Sequence, residues 1–274
     1  MNYVGRIAPS PTGLLHLGHA RTFWIAQQRA HAAHGQLLLR DEDLDRQRSR
    51  LEFSSAMKED LRWLGITWDA ELRQSDRLRL YRAAMEQLLA AGLAYPCSCS
   101  RRDLALSTQA PHEDDDEPIY DGRCRPSVSE RSPELSAHTN YRFRIGGADP
   151  VRFTDRNAGP QRFTPDKDFG DFVLWRKALR PESGDRGLPS YQLACVVDDA
   201  LTGVTEVVRG RDLLKSTARQ MLLQRALGYA TPAYFHTDLV LDAGGVRLAK
   251  RHDALSLRAL RESGLAPQQV LALF

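Results

Sequence analysis

Lysine is scarce in this chain: five among 274 residues, against 33 arginines. Genomic base composition is the favoured reading of this bias, although guanidinium groups do suit phosphate and carboxylate better than ammonium does. Net charge is also slight, +3, too small to mark a nucleic-acid binder by itself. Long apolar runs are missing; none approaches the 18 or so residues of a membrane span. The opening MNYVGRIAP lacks the basic and apolar regions of a secretory signal, so the cytoplasm is the expected compartment. Cysteine is sparse as well, with Cys97, Cys99, Cys124 and Cys195 only. In a reducing cytosol a cysteine cluster points to metal rather than disulfide. Three of the four fall close together, while Cys195 stands in an apolar run and reads as a small buried hydrophobe.

The composition, 42% hydrophobic and 27% charged, is that of a globular protein with an ample core. NYVGRIA reads as a buried strand, PSPTG as a loop, HLGHARTFWIAQQRAHAAHG as a helix closed by Gly35, and QLLLRDED as a second strand. That order is the βαβ unit of a doubly wound parallel sheet, whose ligands bind at the carboxyl ends of the strands. Ser49 and Glu52 have the spacing of a capping box opening a helix that runs to Gly65. Another helix is expected over 76–91, ended by Gly92. From Tyr95 to about Ser136 periodicity lapses into cysteines, prolines and the acidic tract HEDDDEP, the texture of an insertion. Beyond it YRFRI and VRFTD alternate as strands, and LACVVDD and VTEVVRG read as two further apolar strands. A helix over 213–227 stops at Gly228, LVLDAGGVRLA has the punctuation of a tight connection, and APQQVLALF ends the chain as a short helix.

The loop RIAPSPTGLLHLGHA sets His16 and His19 three apart. No third ligand at suitable spacing supports a metal, and no serine or cysteine pairs with either as a nucleophile. A Pro/Gly loop entering a helix offers free N–H groups and a positive dipole end, which suits an anion such as phosphate. Two partly buried histidines at a helix start remain the plain alternative.

APSPTGLLHLGHART resembles the signature of class I aminoacyl-tRNA synthetases of the glutamyl/glutaminyl subclass, with HLGH matching their His-Ile-Gly-His motif. The resemblance implies that His16 and His19 bind ATP phosphates and stabilise adenylate formation, and that Gly18 lies where the adenine ring approaches the backbone. A second family signature, Lys-Leu-Ser-Lys-Arg, is similar to Arg247-Leu248-Ala249-Lys250-Arg251. Lys250 would then neutralise the phosphates as pyrophosphate leaves, whereas Ala249 stands in place of the serine. For glutamate, the family pattern aligns Arg6, Ile7, Ala8, Pro9 and Ser10 (RIAPS), Glu42 (for the α-ammonium), Tyr191 and Arg209 with the amino-acid pocket. An acid and arginines are what selection of one ammonium and two carboxylates demands. Singly, Glu42 and Arg209 read equally as surface salt-bridge partners and Tyr191 as a core aromatic.

The insertion is similar to that of zinc-bearing glutamyl-type enzymes, with Cys97-x-Cys99 and Tyr120-x-x-x-Cys124. This implies one structural Zn2+ on Cys97, Cys99, Tyr120 and Cys124, with His112 second choice as fourth ligand. Mg2+ is implied with ATP. The expected fold is therefore a Rossmann-like doubly wound parallel sheet with a zinc-bearing insertion and a short helical C-terminus. The expected division is 1–94 and 186–251 for the catalytic halves, 95–136 for the zinc insertion (its acceptor-side subdomain continuing to about 185), and 252–274 for the C-terminal segment. Ordinary glutamyl-tRNA synthetases continue through a helical anticodon-binding region, and 23 residues follow Arg251 here. A truncated synthetase of this kind resembles the glutamyl-queuosine tRNA(Asp) synthetase family. The implied reaction is ATP-dependent activation of L-glutamate and its transfer to the queuosine base of tRNA(Asp) by a monomer. The alternatives are a compact enzyme charging the tRNA 3′ end and a non-catalytic tRNA-binding paralogue.

Overall fold

Parallel strands at the N-terminus organise the first part of the molecule. The computed structural model describes residues 2–99, 119–127, 134–147, 149–238, 240 and 256–273. The chain opens with β1 (Val4–Ile7), α1 (Leu17–Ala32), β2 (Gln36–Asp41), α2 (Leu51–Trp63) and β3 (Ala70–Arg73). It continues through α3 (Leu78–Ala90), β4 (Ala94–Cys97), β5 (Asn140–Phe143), β6 (Val151–Asp155), β7 (Gly159–Phe163), β8 (Val173–Arg176), β9 (Leu188–Pro189) and α4 (Tyr191–Leu201). Then come β10 (Glu206–Gly210), α5 (Leu214–Leu227), β11 (Ala233–Thr237), α6 (Leu257–Glu262) and α7 (Pro267–Leu271).

The chain divides into two units. The first comprises Met1–Asp76, Val204–Arg211 and Pro232–Phe274, the second Arg77–Gly203 and Asp212–Thr231. In the first, β1–β2–β3 is parallel throughout, with Ile7 opposite Leu39 and Leu39 opposite Glu71. β10 and β11 form a second parallel pair. The two sets meet at Val4, whose carbonyl accepts from the Thr205 N–H at 2.9 Å and whose own N–H donates to Thr205 Oγ1. A reversal of strand order between β1 and β10 is the switch point where ligands of such sheets lodge. Ile7, Leu37, Leu39, Ala20, Phe23 and Ala26 share one core with Leu61, Ile66, Val208 and Leu257.

α1 ends before Gly35. Ala33 is its C-cap, and His34 rather than glycine takes the left-handed conformation, at φ 48°. Gly35 is required for space: a Cβ there would stand 2.4 Å from the Tyr3 carbonyl oxygen. The capping box expected at Ser49 does not form. The helix begins at Leu51 with Arg50 as N-cap and no side-chain cap bond, and the buried Ser49 Oγ finds no hydrogen-bond partner among the described residues. α5 does end as expected, at Gly228 with φ 72°.

The second unit holds the antiparallel sheet β4–β5–β8–β9 and the hairpin β6–β7. LACVVDD, expected as a strand, is the body of helix α4. Ser190 caps it, its Oγ accepting from the Leu193 N–H. A continuous apolar run suits a buried helix as well as a buried strand, and α4 is buried nearly all round. Cys195 lies on that helix, buried as expected. Asp198 on α4 accepts from Arg77 Nε at 2.7 Å and from the Tyr81 hydroxyl at 2.8 Å, which ties α4 to α3.

Candidate active site

His16 caps α1. Its backbone is extended, and its Nδ1 accepts the Gly18 N–H at 3.1 Å. An imidazole whose Nδ1 accepts carries its proton on Nε2 when neutral, so Nε2 is the donor it offers. His19 stacks on it, ring centroids 3.7 Å apart, and Phe23 continues the stack at 6.1 Å. The expected histidine pair is thus one structure at a helix N-terminus. Gly18 is pressed from the same side, since a Cβ there would stand 3.1 Å from His16 Cε1.

Arg6, Glu42 and Arg209 come together at the carboxyl ends of β1, β2 and β10. Ile7, Ala8, Pro9 and Ser10 carry the chain out of β1, and the Glu42 N–H donates to the Pro9 carbonyl at 3.0 Å. Arg6, buried, donates through Nη1 to the Val208 carbonyl at 2.7 Å. Arg209 follows Val208. Its Nε donates to Nε2 of His236, its register partner on β11, at 3.1 Å, and its guanidinium lies 5.7 Å from the Tyr234 ring centroid.

Two residues of this cluster were missed by sequence reasoning. Arg40, 1% exposed, directs Nε and Nη2 at one oxygen of Glu42, at 3.1 and 2.9 Å. An arginine closing the apolar run LLL is the signal that announces it, because a buried cation needs a fixed anion. His236, fully buried beside Arg209, has no sequence signal beyond its place in an alternating strand. Tyr191 opens α4 in the second unit. Lys250, with the rest of Arg247–Arg251, lies outside the described residues, as does His112. The chain becomes described again at Ser256. There Ser256 pairs antiparallel with His16, and the Leu257 N–H donates to the Leu15 carbonyl at 2.7 Å.

The expected metal residues form a cluster in the second unit. The sulfurs of Cys97, Cys99 and Cys124 all lie within 4.8 Å of one another. Cys99 Sγ is 4.0 Å from Cys124 Sγ and 3.8 Å from the Tyr120 hydroxyl. Tetrahedral zinc–thiolate bonds of about 2.3 Å place neighbouring ligands about 3.8 Å apart, so the donor set fits zinc. The Tyr120 oxygen also accepts the Cys124 N–H at 2.8 Å. Burial pushes the Cys124 thiol up, but hydrogen bonding with Ser98, Tyr120 and Cys97 outweighs it and brings it down to about 6. Cys99 moves the other way, to about 11, through burial and its bond with Cys97. Arg142, also missed in the sequence, brings Nε to 3.3 Å from Cys97 Sγ and lies 3.7 Å over the Tyr120 ring.

A helix N-terminus with two stacked imidazoles, beside an acid and two arginines at a parallel-sheet switch point, is the layout of a class I aminoacyl-tRNA synthetase. Residues 3–274 match the family described as tRNA synthetases class I (E and Q), catalytic domain, and the chain belongs to that family. Among its relatives are proteins named glutamyl-Q tRNA(Asp) synthetase. That of Symbiobacterium thermophilum is 46% identical, over 97% of this chain and 84% of the relative. That of Rhodobacter capsulatus is 42% identical, over 97% of this chain and 98% of the relative. A crystal structure of a glutamate tRNA ligase from Elizabethkingia meningosepticum in complex with its amino acid superposes with a TM-score of 0.73 at 27% identity. It is matched over 97% of this chain and 54% of that one.

Proposed function

We propose that this protein activates L-glutamate with ATP and transfers the glutamate to the queuosine base of tRNA(Asp). The carrying observation is the convergence of Arg6, Arg40–Glu42 and Arg209 on the strand ends that also lead into the His16–His19 helix start. Relatives named for that reaction match this chain over 84% and 98% of their own lengths.

Glu42, fixed by Arg40, receives the α-ammonium of glutamate, while Arg6 and Arg209 face its carboxylates. RIAPS supplies the wall, and the family pattern assigns Tyr191 to glutamate as well. The α-carboxylate then attacks the α-phosphorus of MgATP in line and pyrophosphate leaves. His16 Nε2, His19 and the first N–H groups of α1 hold the phosphate charge, and Lys250 is assigned the departing end. Donors already in place act without reorganisation, each supplying a few kcal/mol of transition-state stabilisation. In the second half a queuosine cyclopentene hydroxyl attacks the adenylate carbonyl. An ester forms, AMP leaves, and the hydroxyl proton passes to the medium.

One structural zinc would be held by Cys97, Cys99, Cys124 and Tyr120, bracing the sheet β4–β5–β8–β9. Such an ion holds a fold together and takes no part in the transfer. The activating residues belong to 1–94 and 186–251 in this reading. In this reading the enzyme is a monomer acting in the cytoplasm. Among the described residues no helix is long and apolar enough to cross a membrane.

The test uses radioactive glutamate, ATP and a queuosine-bearing anticodon stem-loop lacking any acceptor arm. Labelling of the stem-loop, lost when guanosine replaces queuosine, is expected. Labelling confined to full tRNA with an intact 3′ end would overturn the transfer step. Absence of glutamate-dependent ATP–pyrophosphate exchange, with or without tRNA, would overturn activation.

A further inference from the structure

The hairpin β6–β7 in the second unit has two unlike faces. Val151 is buried, Phe153 and Phe163 stack at 6.2 Å between centroids, and α5 packs against β6. The other face places Arg152 directly opposite Arg162 in the antiparallel register, both exposed. Side chains opposite one another on a sheet sit roughly 5 Å apart at Cβ, and like charges there destabilise the pairing. Neither arginine has an ion pair or side-chain hydrogen bond with any described residue. A third arginine, Arg156, is exposed at the turn. The one acid of the ribbon, Asp155, is buried and spent on that turn, its Oδ1 accepting the Asn157 and Ala158 N–H groups at 2.9 and 2.7 Å. Arg152 and Arg162 therefore carry positive charge on the outward face that no described residue pairs.

We infer that the β6–β7 ribbon is an RNA-backbone contact, with Arg152 and Arg162 gripping phosphates of the tRNA substrate. The inference rests on the proposed function and assigns part of its RNA-binding surface. A guanidinium meets two phosphodiester oxygens with two parallel N–H groups, and such contacts set register without reading sequence. Bound phosphates also remove the mutual repulsion of the arginine pair. The aromatic stack behind keeps the ribbon stiff, so the two guanidinium groups are presented at fixed spacing.

Binding of queuosine-containing tRNA(Asp) is measured against salt concentration for the wild type, for the double variant Arg152→Ala/Arg162→Ala, and for Arg152→Lys/Arg162→Lys. The alanine variant is expected to bind about tenfold more weakly near 0.1 M salt. Its log Kd against log salt should be shallower by roughly 1.5, as two lost phosphate contacts require. The lysine variant should keep the slope, and tRNA-independent glutamate activation should stay at the wild-type level in both. An alanine variant with native circular dichroism and wild-type affinity and slope sinks the inference while leaving the proposed function intact. Failure of the wild type to bind or label tRNA sinks the proposed function, and this inference with it. If the alanine pair alters the dichroism, the charge-reversed Arg162→Glu single variant takes its place, with the same expected direction and the same overturning result.

Discussion

Arg40 and Glu42 form an ion pair inside the protein across a single intervening residue, with both guanidinium contacts falling on the same carboxylate oxygen. The acid proposed to meet the substrate ammonium is thus held by the strand that delivers it. Removing one member of a buried pair leaves the other uncompensated, at about 3–5 kcal/mol. Arg40→Met is expected to lose about 3 kcal/mol in urea unfolding and to raise the KM for glutamate at least tenfold in ATP–pyrophosphate exchange. Unchanged KM in a folded variant would remove Arg40 from the pocket's support.

Gly18→Ala separates stability from activation. Alanine favours a helix by about 1 kcal/mol over glycine, yet its methyl group would press on His16 at 3.1 Å. We expect thermal stability equal to or above the wild type and exchange activity reduced about tenfold or more, from displacement of the imidazole. Full activity would show that the His16 ring has room to give.

Zinc content checks the cysteine cluster. Purified protein is expected to hold one zinc per chain by elemental analysis, and Cys124→Ser or Cys99→Ser to lose it together with several degrees of thermal stability. Tyr120→Phe should weaken zinc retention against a chelator. A wild type that melts identically with and without chelator would dismiss the structural role.

Asp60 gives a pH-dependent prediction. It is fully buried, with Arg258 Nη2 at 3.4 Å and Arg261 Nη1 at 3.8 Å. Burial raises its pKa above 3.8, and the attraction of Arg258 and Arg261 offsets that only in part. The folded state therefore holds this proton more tightly than the unfolded chain. The stability it lends is complete below about pH 4 and is lost as pH rises through the folded value. An asparagine in its place has no such loss, so the stability of Asp60→Asn relative to wild type should improve between pH 4.5 and pH 7.5 in urea melts. A constant difference would mean that the two arginines fully offset burial.

The βαβ unit at the N-terminus was legible because two short apolar runs flank a stretch of helical length and the PSPTG loop punctuates them. The residues of the proposed site came from the family resemblance, and the structure sets His16 and His19 at one helix start and Arg6, Glu42 and Arg209 at neighbouring strand ends. Their supports were not legible in the sequence. Arg40 and His236 act through distances that only the strand register fixes. LACVVDD deceived because burial on all sides erases the period that tells helix from strand, although the Ser190 cap was a visible clue. Ser49-x-x-Glu52 had the right letters, but the chain turns into the helix one residue later than a cap there requires.

The bond from the Leu257 N–H to the Leu15 carbonyl joins positions at opposite ends of the described chain. Closing a loop of roughly 240 residues costs about 5 kcal/mol of chain entropy beyond the constant term, so this clasp is among the later contacts to form. During synthesis the histidine turn is made first and must wait for Ser256 to emerge before its flank is paired. Emergence of Ser256 thereby sets the moment at which the flank of the turn is paired.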